Sequence, residues 1–332
     1  MVVIFIVHLN VDYPSTSTSA SNSNYNANSL ASNTSSNLLQ FDDSFCQRIR
    51  DELKKELHSS AIKLQTFPRL ARLIRGFRPG ELTIFTGPTG SGKTTVLSQM
   101  SLDYCFQGVK TLWGSFEIKH TRLARIMIQQ VAAQSLFHSD IEADAEESET
   151  PSKLIIKEDV INQAQKILQN SPIYFMDYFG STPLESILES MNSAVRDHQI
   201  QHIVLDNLQF MLSGQHSGSF DKFDVTDRTV AALRAFATNR NVHITLVIHP
   251  RKELDDTPLG LASVSGTAKA TQEADNVIVL QKVGDSRYID VKKNRFDGLV
   301  GSVPIKFDAN ARLILEASHN KSTTETNDTK SE

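Results

Sequence analysis

The sequence predicts an α/β fold in which a mostly parallel β-sheet carries helices on both faces and closes with antiparallel β-hairpins. Three observations predict it. Apolar β-runs alternate with helical stretches at 82–86, 110–116, 173–176, 203–205, 243–248 and 276–280, and such strands fit a sheet covered on both sides. A glycine-rich loop joins the first run to a helix. Beyond residue 285 the alternation stops, and β-runs at 288–292, 302–307 and 312–315 with turn signals between them describe hairpins.

The loop is the strongest chemical signal. Residues 82–95 read LTIFTGPTGSGKTT: Gly87, Pro88, Thr89, Gly90, Ser91, Gly92, Lys93, Thr94 and Thr95 follow a strand of Leu82, Ile84 and Phe85. Val96, Leu97, Met100 and Tyr104 then recur at helical spacing until Gly108. Glycines let successive N–H groups turn inward around phosphate oxygens, and the helix presents its positive dipole end to the same anion. A nucleoside triphosphate is the expected ligand, with Lys93 on the β and γ phosphates and the Thr94 hydroxyl on Mg²⁺.

Bulk properties set the frame. The chain has 332 residues, 39% of them hydrophobic, enough for one folded domain of about 260 to 280 residues with tails. A net charge of −4 gives no global sign of nucleic-acid binding, so any such surface must be local. Cys46 and Cys105 are the only cysteines, which excludes a disulfide framework and a zinc ribbon and fits a reducing compartment. The opening MVVIFIVHL is too short to span a bilayer. It has no charged leader, and Asp12 precedes the first basic residue, Arg48, so neither secretion nor a visible transit peptide is expected.

Four regions follow. Residues 1–40 form a leader whose 15–37 stretch is nearly all Ser, Thr and Asn, expected to be disordered because it cannot bury enough apolar area. In 41–66, Phe45, Ile49, Leu53 and Leu57 recur every fourth residue and predict an amphipathic helix, which packs either on its own domain or on a neighbouring subunit. Residues 67–317 form the main domain, and 318–332 a polar tail. Within the main domain, RLARLIRGF sets Leu70, Leu73 and Ile74 against Arg69, Arg72 and Arg75, a solvated helix face or a phosphate contact. The acidic stretch 139–151 is expected to be a surface loop.

The ends of the strands carry the remaining candidates. Asp206 closes HIVLDN, where a carboxylate beside a phosphate loop supplies a second Mg²⁺ contact through water. Glu117 closes TLWGSFE and either activates an attacking water or is an ordinary strand-end charge. His249 closes the next strand, with a structural or a phosphate-sensing role, and heads a long loop carrying Arg251, Lys252, Gly266 and Lys269. That loop lacks aromatic residues, so it suits contact with a sugar-phosphate backbone rather than base stacking. Lys293 and Arg295 lie two apart before the Asp297-Gly298 turn, as a solvated hairpin end or, in a ring, an arginine finger.

Taken together, GELTIFTGPTGSGKTT, TLWGSFE, IVLDNLQFM, HITLVIHPRKE, SGTAKATQEADNVIVLQ and VKKNRFDG resemble, in order, the helicase motifs of the Twinkle family of mitochondrial replicative helicases. More distantly they resemble phage primase-helicases and bacterial DnaB-type ring helicases. The resemblance covers residues 41–315 and implies a RecA-like core using ATP and Mg²⁺. It implies that Lys93 and Thr94 hold phosphates and metal, with Asp206 the second acidic metal partner, and that Glu117 activates water. By the same resemblance His249 senses phosphate, Arg251 and Gly266 contact single-stranded DNA, and Gln272 lies near the coupling path. Lys293 and Arg295 then reach a neighbour's nucleotide, and the 41–66 helix joins neighbours in a ring, usually of six. Partners implied are single-stranded and forked DNA, a polymerase and a single-strand-binding protein, at the mitochondrial matrix nucleoid, with no membrane span. Family members carry a primase-like region before the linker; here a stub and the Ser/Asn tract stand there, so no primer synthesis is expected and the chain reads as a truncated or alternatively started product.

The expected activity is therefore a 5′–3′ DNA helicase driven by ATP hydrolysis in mitochondrial DNA replication. Three other readings are a RecA-like single-stranded DNA-binding or annealing ATPase without unwinding, an inactive helicase fragment, and a small-molecule kinase. The last is disfavoured, since kinases close a substrate lid and need no Lys-x-Arg finger.

Overall fold

The computed structural model describes residues 40–58, 61–140, 153–213, 222–251, 257–264 and 268–317. The leader but for Gln40, most of the acidic stretch, and the polar tail lie outside them. The chain divides into two units, one ending at Leu57 and one beginning at His58.

The first unit holds helix α1, Asp43–His58. Asp42 caps it: its carboxylate accepts from the Phe45 amide at 2.8 Å and from the Ser44 hydroxyl, and these bonds hold the carboxyl below its usual pKa. Phe45 and Ile49 are half-buried and Leu53 is exposed along the apolar stripe.

The second unit is built on one nine-stranded sheet. Its strands are β1 Leu82–Thr86, β2 Thr111–Ser115, β5 Ile173–Phe175, β6 His202–Asp206, β7 His243–Val247, β8 Asn276–Val283, β9 Ser286–Asn294, β10 Gly301–Asp308 and β11 Leu313–Glu316, while β3 Phe137–Asp140 and β4 Lys153–Ile156 make a separate hairpin. The order is β11-β10-β9-β8-β1-β7-β6-β2-β5. From β8 to β5 all pairings are parallel, and β9, β10 and β11 add on antiparallel. This is the expected α/β sheet with its antiparallel end. The β3–β4 hairpin is a departure, because Ser139 and Asp140, expected in a loop, complete a strand.

Helices α2 Pro68–Ile74, α3 Lys93–Phe106 and α4 His120–Ala132 supply one apolar layer, with Leu70, Ile74, Val96, Met100, Leu123 and Met127 packed on Phe85, Val204, Val247 and Ile278. The opposite layer sets Ile187 and Met191 of α6 Leu184–His198, and Leu233 and Ala237 of α8 Lys222–Arg240, on Ile84, Leu205, Leu246 and Val279. Two helix layers bury every residue of β1, β2, β6 and β7, which is why these strands lack apolar alternation. The remaining helices are α5 Glu158–Gln169, α7 Leu208–Met211 and α9 Ala268–Glu273.

Carboxylates tie the segment entering the sheet to the layers around it. Asp103 of α3 accepts from the Gln65 and Thr66 amides at 2.7 and 2.8 Å, and Glu316 accepts from the Arg69 and Leu70 amides that open α2. Arg69 also donates to the Ala317 carbonyl, and Arg75 pairs with Asp297 at 2.9 Å. Two arginines of the 69–75 row thus serve as structural ties.

Beneath this layer two histidines face each other from adjacent strands. His202 and His243 are register partners, 5.4 Å apart at the ring centres, and Phe77 and Tyr104 pack on them. His202 Nε2 meets Thr245 Oγ1 at 2.9 Å, and His243 bonds the Arg78 carbonyl and the Thr83 hydroxyl. Burial drives His243 down to about 3 and His202 well below its usual value. Both groups have folded pKa values below the unfolded one, so the stability they permit is complete above the unfolded pKa and is lost as pH falls toward the folded one. From pH 7 to pH 5 the pair should remove about 4 kcal/mol, each site shifting by about 1.5 units in that window. Chemical denaturation across this range checks it: His243→Gln should flatten the decline, and an unchanged slope would contradict the assignment.

The candidate nucleotide site

Parallel strands β1, β7, β6 and β2 end at one edge of the sheet, and their carboxyl termini bring the site together. Gly87 leaves β1 at φ +157°, and a Cβ there would stand 2.5 Å from the Leu280 carbonyl oxygen. Gly92, at φ +101°, is the N-cap of α3. The backbone thus accepts only glycine at the loop's entrance and strongly favours it at its exit. Lys93 lies inside the turn, donating to the Gly87 and Pro88 carbonyls at 2.9 and 3.0 Å. Burial lowers its pKa, while Asp206 and Glu117 pull it back upward.

Thr94 Oγ1 donates to Asp206 Oδ2 at 2.7 Å, so the loop hydroxyl and the strand-end carboxylate already share one position. Asp206 is 1% exposed, and burial raises it to about 6, with Glu117 adding to the rise and Thr94 and Lys93 opposing it. A carboxylate raised this way costs stability when ionised. The cost is absent below the unfolded pKa and is fully felt once pH passes about 6. Asp206→Asn should therefore stabilise the fold at pH 8 by about 3 kcal/mol, or somewhat less if the amide bonds Thr94 poorly. Thermal unfolding measures this, and a less stable variant at pH 8 would contradict it.

The structure also brings Glu117 and His249 together, through a residue that sequence reasoning passed over. Asn207 caps α7, and its Oδ1 accepts from the Phe210 amide at 3.1 Å. With the oxygen so fixed, the amide nitrogen points to Glu117 Oε2 and, at 2.8 Å, to His249 Nε2. His249 Nε2 lies 3.4 Å from the same Glu117 oxygen. Burial and Lys93 lower the His249 pKa against the pull of Glu117, and a neutral imidazole accepting at Nε2 satisfies all three groups. Gln209 holds the His249 backbone, accepting from its amide at 3.0 Å. The adjacency of Asn207 to Asp206 was the available signal for its place here.

The residues present fit a nucleoside triphosphate and a divalent ion. The Ser91 hydroxyl is buried in the loop with no hydrogen-bond partner, as expected of a group that faces a ligand. Among the described residues no three His, Cys, Asp or Glu side chains gather for a metal. An ion here therefore relies on Thr94, Asp206, phosphate oxygens and water, the way Mg²⁺ is usually held with nucleotides.

Other candidates lie elsewhere. β8 runs parallel to β1, and β9 returns, so Lys293 and Arg295 lie at the opposite edge of the sheet from the phosphate loop. Lys293 Nζ donates to the carbonyls of Thr271, Gln272 and Ala274 at the end of α9. Arg295 donates to the Gln272 carbonyl at 2.8 Å and pairs with Asp275 at 3.3 Å. Lys269 and Gln272, expected in a loop, belong to helix α9. Arg251 is exposed, its amide bonded to the Ser263 carbonyl. Lys252 and Gly266 lie outside the described residues.

A second set unforeseen in the sequence is three buried glutamines. Gln130 donates to the carbonyls of Thr95 and Arg312, Gln99 exchanges two bonds with Ile314, and Gln129 bonds Asn310 and Arg312. They clasp the β10–β11 turn to the first turns of α3.

Fold and site together define a RecA-like ATPase core of the phosphate-loop class, and among the described residues no helix is long and apolar enough to cross a membrane. A family model described as an AAA domain matches residues 50–255, and the chain belongs to that family. It is similar to the replicative DNA helicase DnaB of Mycoplasma genitalium, 20% identical over 273 residues that make up 78% of this chain and 55% of that protein. The chain thus spans about half the length of that curated relative. Among solved structures it resembles an ATPase domain determined on its own, with a TM-score of 0.67 at 16% identity over 83% of this chain and 100% of that one. It also resembles a DnaB-like replicative helicase studied in its interactions with primase, with a TM-score of 0.64 at 16% identity over 83% and 67% of the two chains.

Proposed function

We propose that the chain is the motor domain of a ring-forming DNA helicase, hydrolysing ATP to travel 5′ to 3′ along single-stranded DNA. The observation that carries this is the separation within one chain of the phosphate loop and the Lys293/Arg295 pair, at opposite edges of one sheet. Arg295 cannot serve its own loop, so a second copy supplies it, and a closed head-to-tail contact of that kind makes a ring. Similarity to DnaB supports the same reading.

Each side chain then has a task. Lys93 leaves the loop carbonyls for phosphate oxygens, Thr94 and Asp206 hold the metal, and Glu117 takes the proton of the attacking water. Bound Mg²⁺ would supply charge neutralisation on the phosphates. Asn207 transmits the state of Glu117 to His249, which opens the 250–267 connection. That connection descends to α9, whose last carbonyls hold Lys293 and Arg295. One covalent segment thus links the phosphate edge, the DNA-facing residues Arg251, Lys252, Gly266 and Lys269, and the edge offered to the neighbour. In this reading α1 joins adjacent subunits, and the mitochondrial nucleoid, a polymerase and a single-strand-binding protein complete the setting by resemblance to Twinkle helicases.

Strand separation on forked DNA tests the proposal. A fork with a 5′ single-stranded tail should be unwound in the presence of ATP, and one with only a 3′ tail should not. ATP-independent annealing without unwinding would favour a RecA-like binding protein instead.

A further inference from the structure

A cleft of about 510 Å³ opens beside α4, lined by Thr121, Arg122, Arg125, Ile126 and Arg312. Arg122 and Arg125 are exposed on the first two turns of α4, and Arg312 faces them from the β10–β11 turn. None of the three forms an ion pair with a carboxylate among the described residues. Arg125 lies over the Phe137 ring at 5.1 Å, and Arg312 Nε donates to Gln129 at 3.1 Å, so two of the three stems are held in place. Arg312 keeps a left-handed backbone, φ +52°, and its carbonyl is clasped by Gln130. Three like charges around one opening repel each other, and the buried glutamines oppose their spreading.

The geometry points to a second anion site, separate from the phosphate loop, that binds an oligophosphate. Guanidinium forks match phosphoryl oxygens and pair with them bidentately. Arg122 and Arg125 are offset by about 4.5 Å along the helix axis, which suits successive phosphoryl groups better than a single small anion. The chemistry is shared by a free oligophosphate chain and the phosphodiester backbone of a nucleic acid. The site does not depend on the motor reading, since none of its residues belongs to the hydrolytic set.

Calorimetry with inorganic tripolyphosphate tests it in the Lys93→Ala chain, which removes the main phosphate contact of the loop. One site is expected, weakening with added salt. Adding Arg122→Ala and Arg125→Ala should weaken it at least about tenfold, one of the two lost pairings being enough for that. The melting temperature should not move, because both side chains are exposed. Arg122→Lys with Arg125→Lys should retain part of the affinity. Competition by oligo-dT identifies the phosphodiester as the ligand, and binding that oligo-dT leaves untouched identifies the free oligophosphate. No binding by the Lys93→Ala chain, or equal binding with and without the two arginines, would overturn the inference.

Discussion

Glu117→Gln is expected to slow ATP hydrolysis by about 10²–10⁴-fold while leaving ATP affinity nearly unchanged. Glutamine keeps the size and the acceptor oxygen that meets Asn207, so the site's shape survives and only the proton acceptor is lost. Single-turnover hydrolysis and nucleotide binding, measured on the same preparation, separate the two effects. If Glu117 were merely a strand-end charge, turnover would stay within a few-fold of the parent and the water-activating role would fall. The Asn207 bridge adds a second expectation: the pH dependence of turnover should shift in Asn207→Ala, because His249 and Glu117 lose their common partner.

Arg295→Ala should lower turnover by about 10³–10⁵-fold, the range of an arginine finger acting on a transferred phosphoryl group. The loss should depend on assembly. Mixing the Arg295→Ala chain with Lys93→Ala should restore part of the activity, since an interface can then combine an intact loop from one copy with an intact arginine from the other. No recovery in mixtures that demonstrably co-assemble would mean that Arg295 only anchors α9 through Asp275 and Gln272. The arginine sits half exposed while bonded to its own chain, so a stability effect is expected as well, and denaturation of the variant measures it separately.

How much was legible beforehand differs by the range of the interaction involved. The phosphate loop was readable because its demands are local: positive φ and a backbone approach that admits no Cβ at Gly87 force glycine whatever the surroundings. The central strands were readable because two helix layers bury both faces, which writes a continuous apolar run into the sequence. The glutamine clasp was not. Gln99, Gln129 and Gln130 look like the polar face of a helix, and only the fold reveals that the β10–β11 turn covers them. The His202–His243 contact was equally hidden, since strand register 41 residues apart decides it. Asn207 stood in a recognisable motif without a role, because its function is to join two strand ends that only strand order makes neighbours. The position of Arg295 followed the same rule: its spacing from Lys293 was plain, but the sheet edge it occupies depends on β8 running up and β9 running down.

Raised and lowered pKa values mark two different kinds of compromise. His202 and His243 give up acid stability for a dry aromatic layer. Asp206 gives up stability at neutral pH to stand beside Thr94, the position a metal-bound phosphate requires, so its removal should strengthen the fold and end the activity.

The ring motor is tested most directly by the ATP hydrolysis rate of the purified chain, with and without single-stranded DNA, across protein concentrations that span assembly. Low turnover is expected when the chain is dilute, with a cooperative rise as subunits meet and strong stimulation by DNA at the higher concentrations. Hydrolysis proportional to protein at every concentration and indifferent to DNA would contradict a motor built at subunit interfaces.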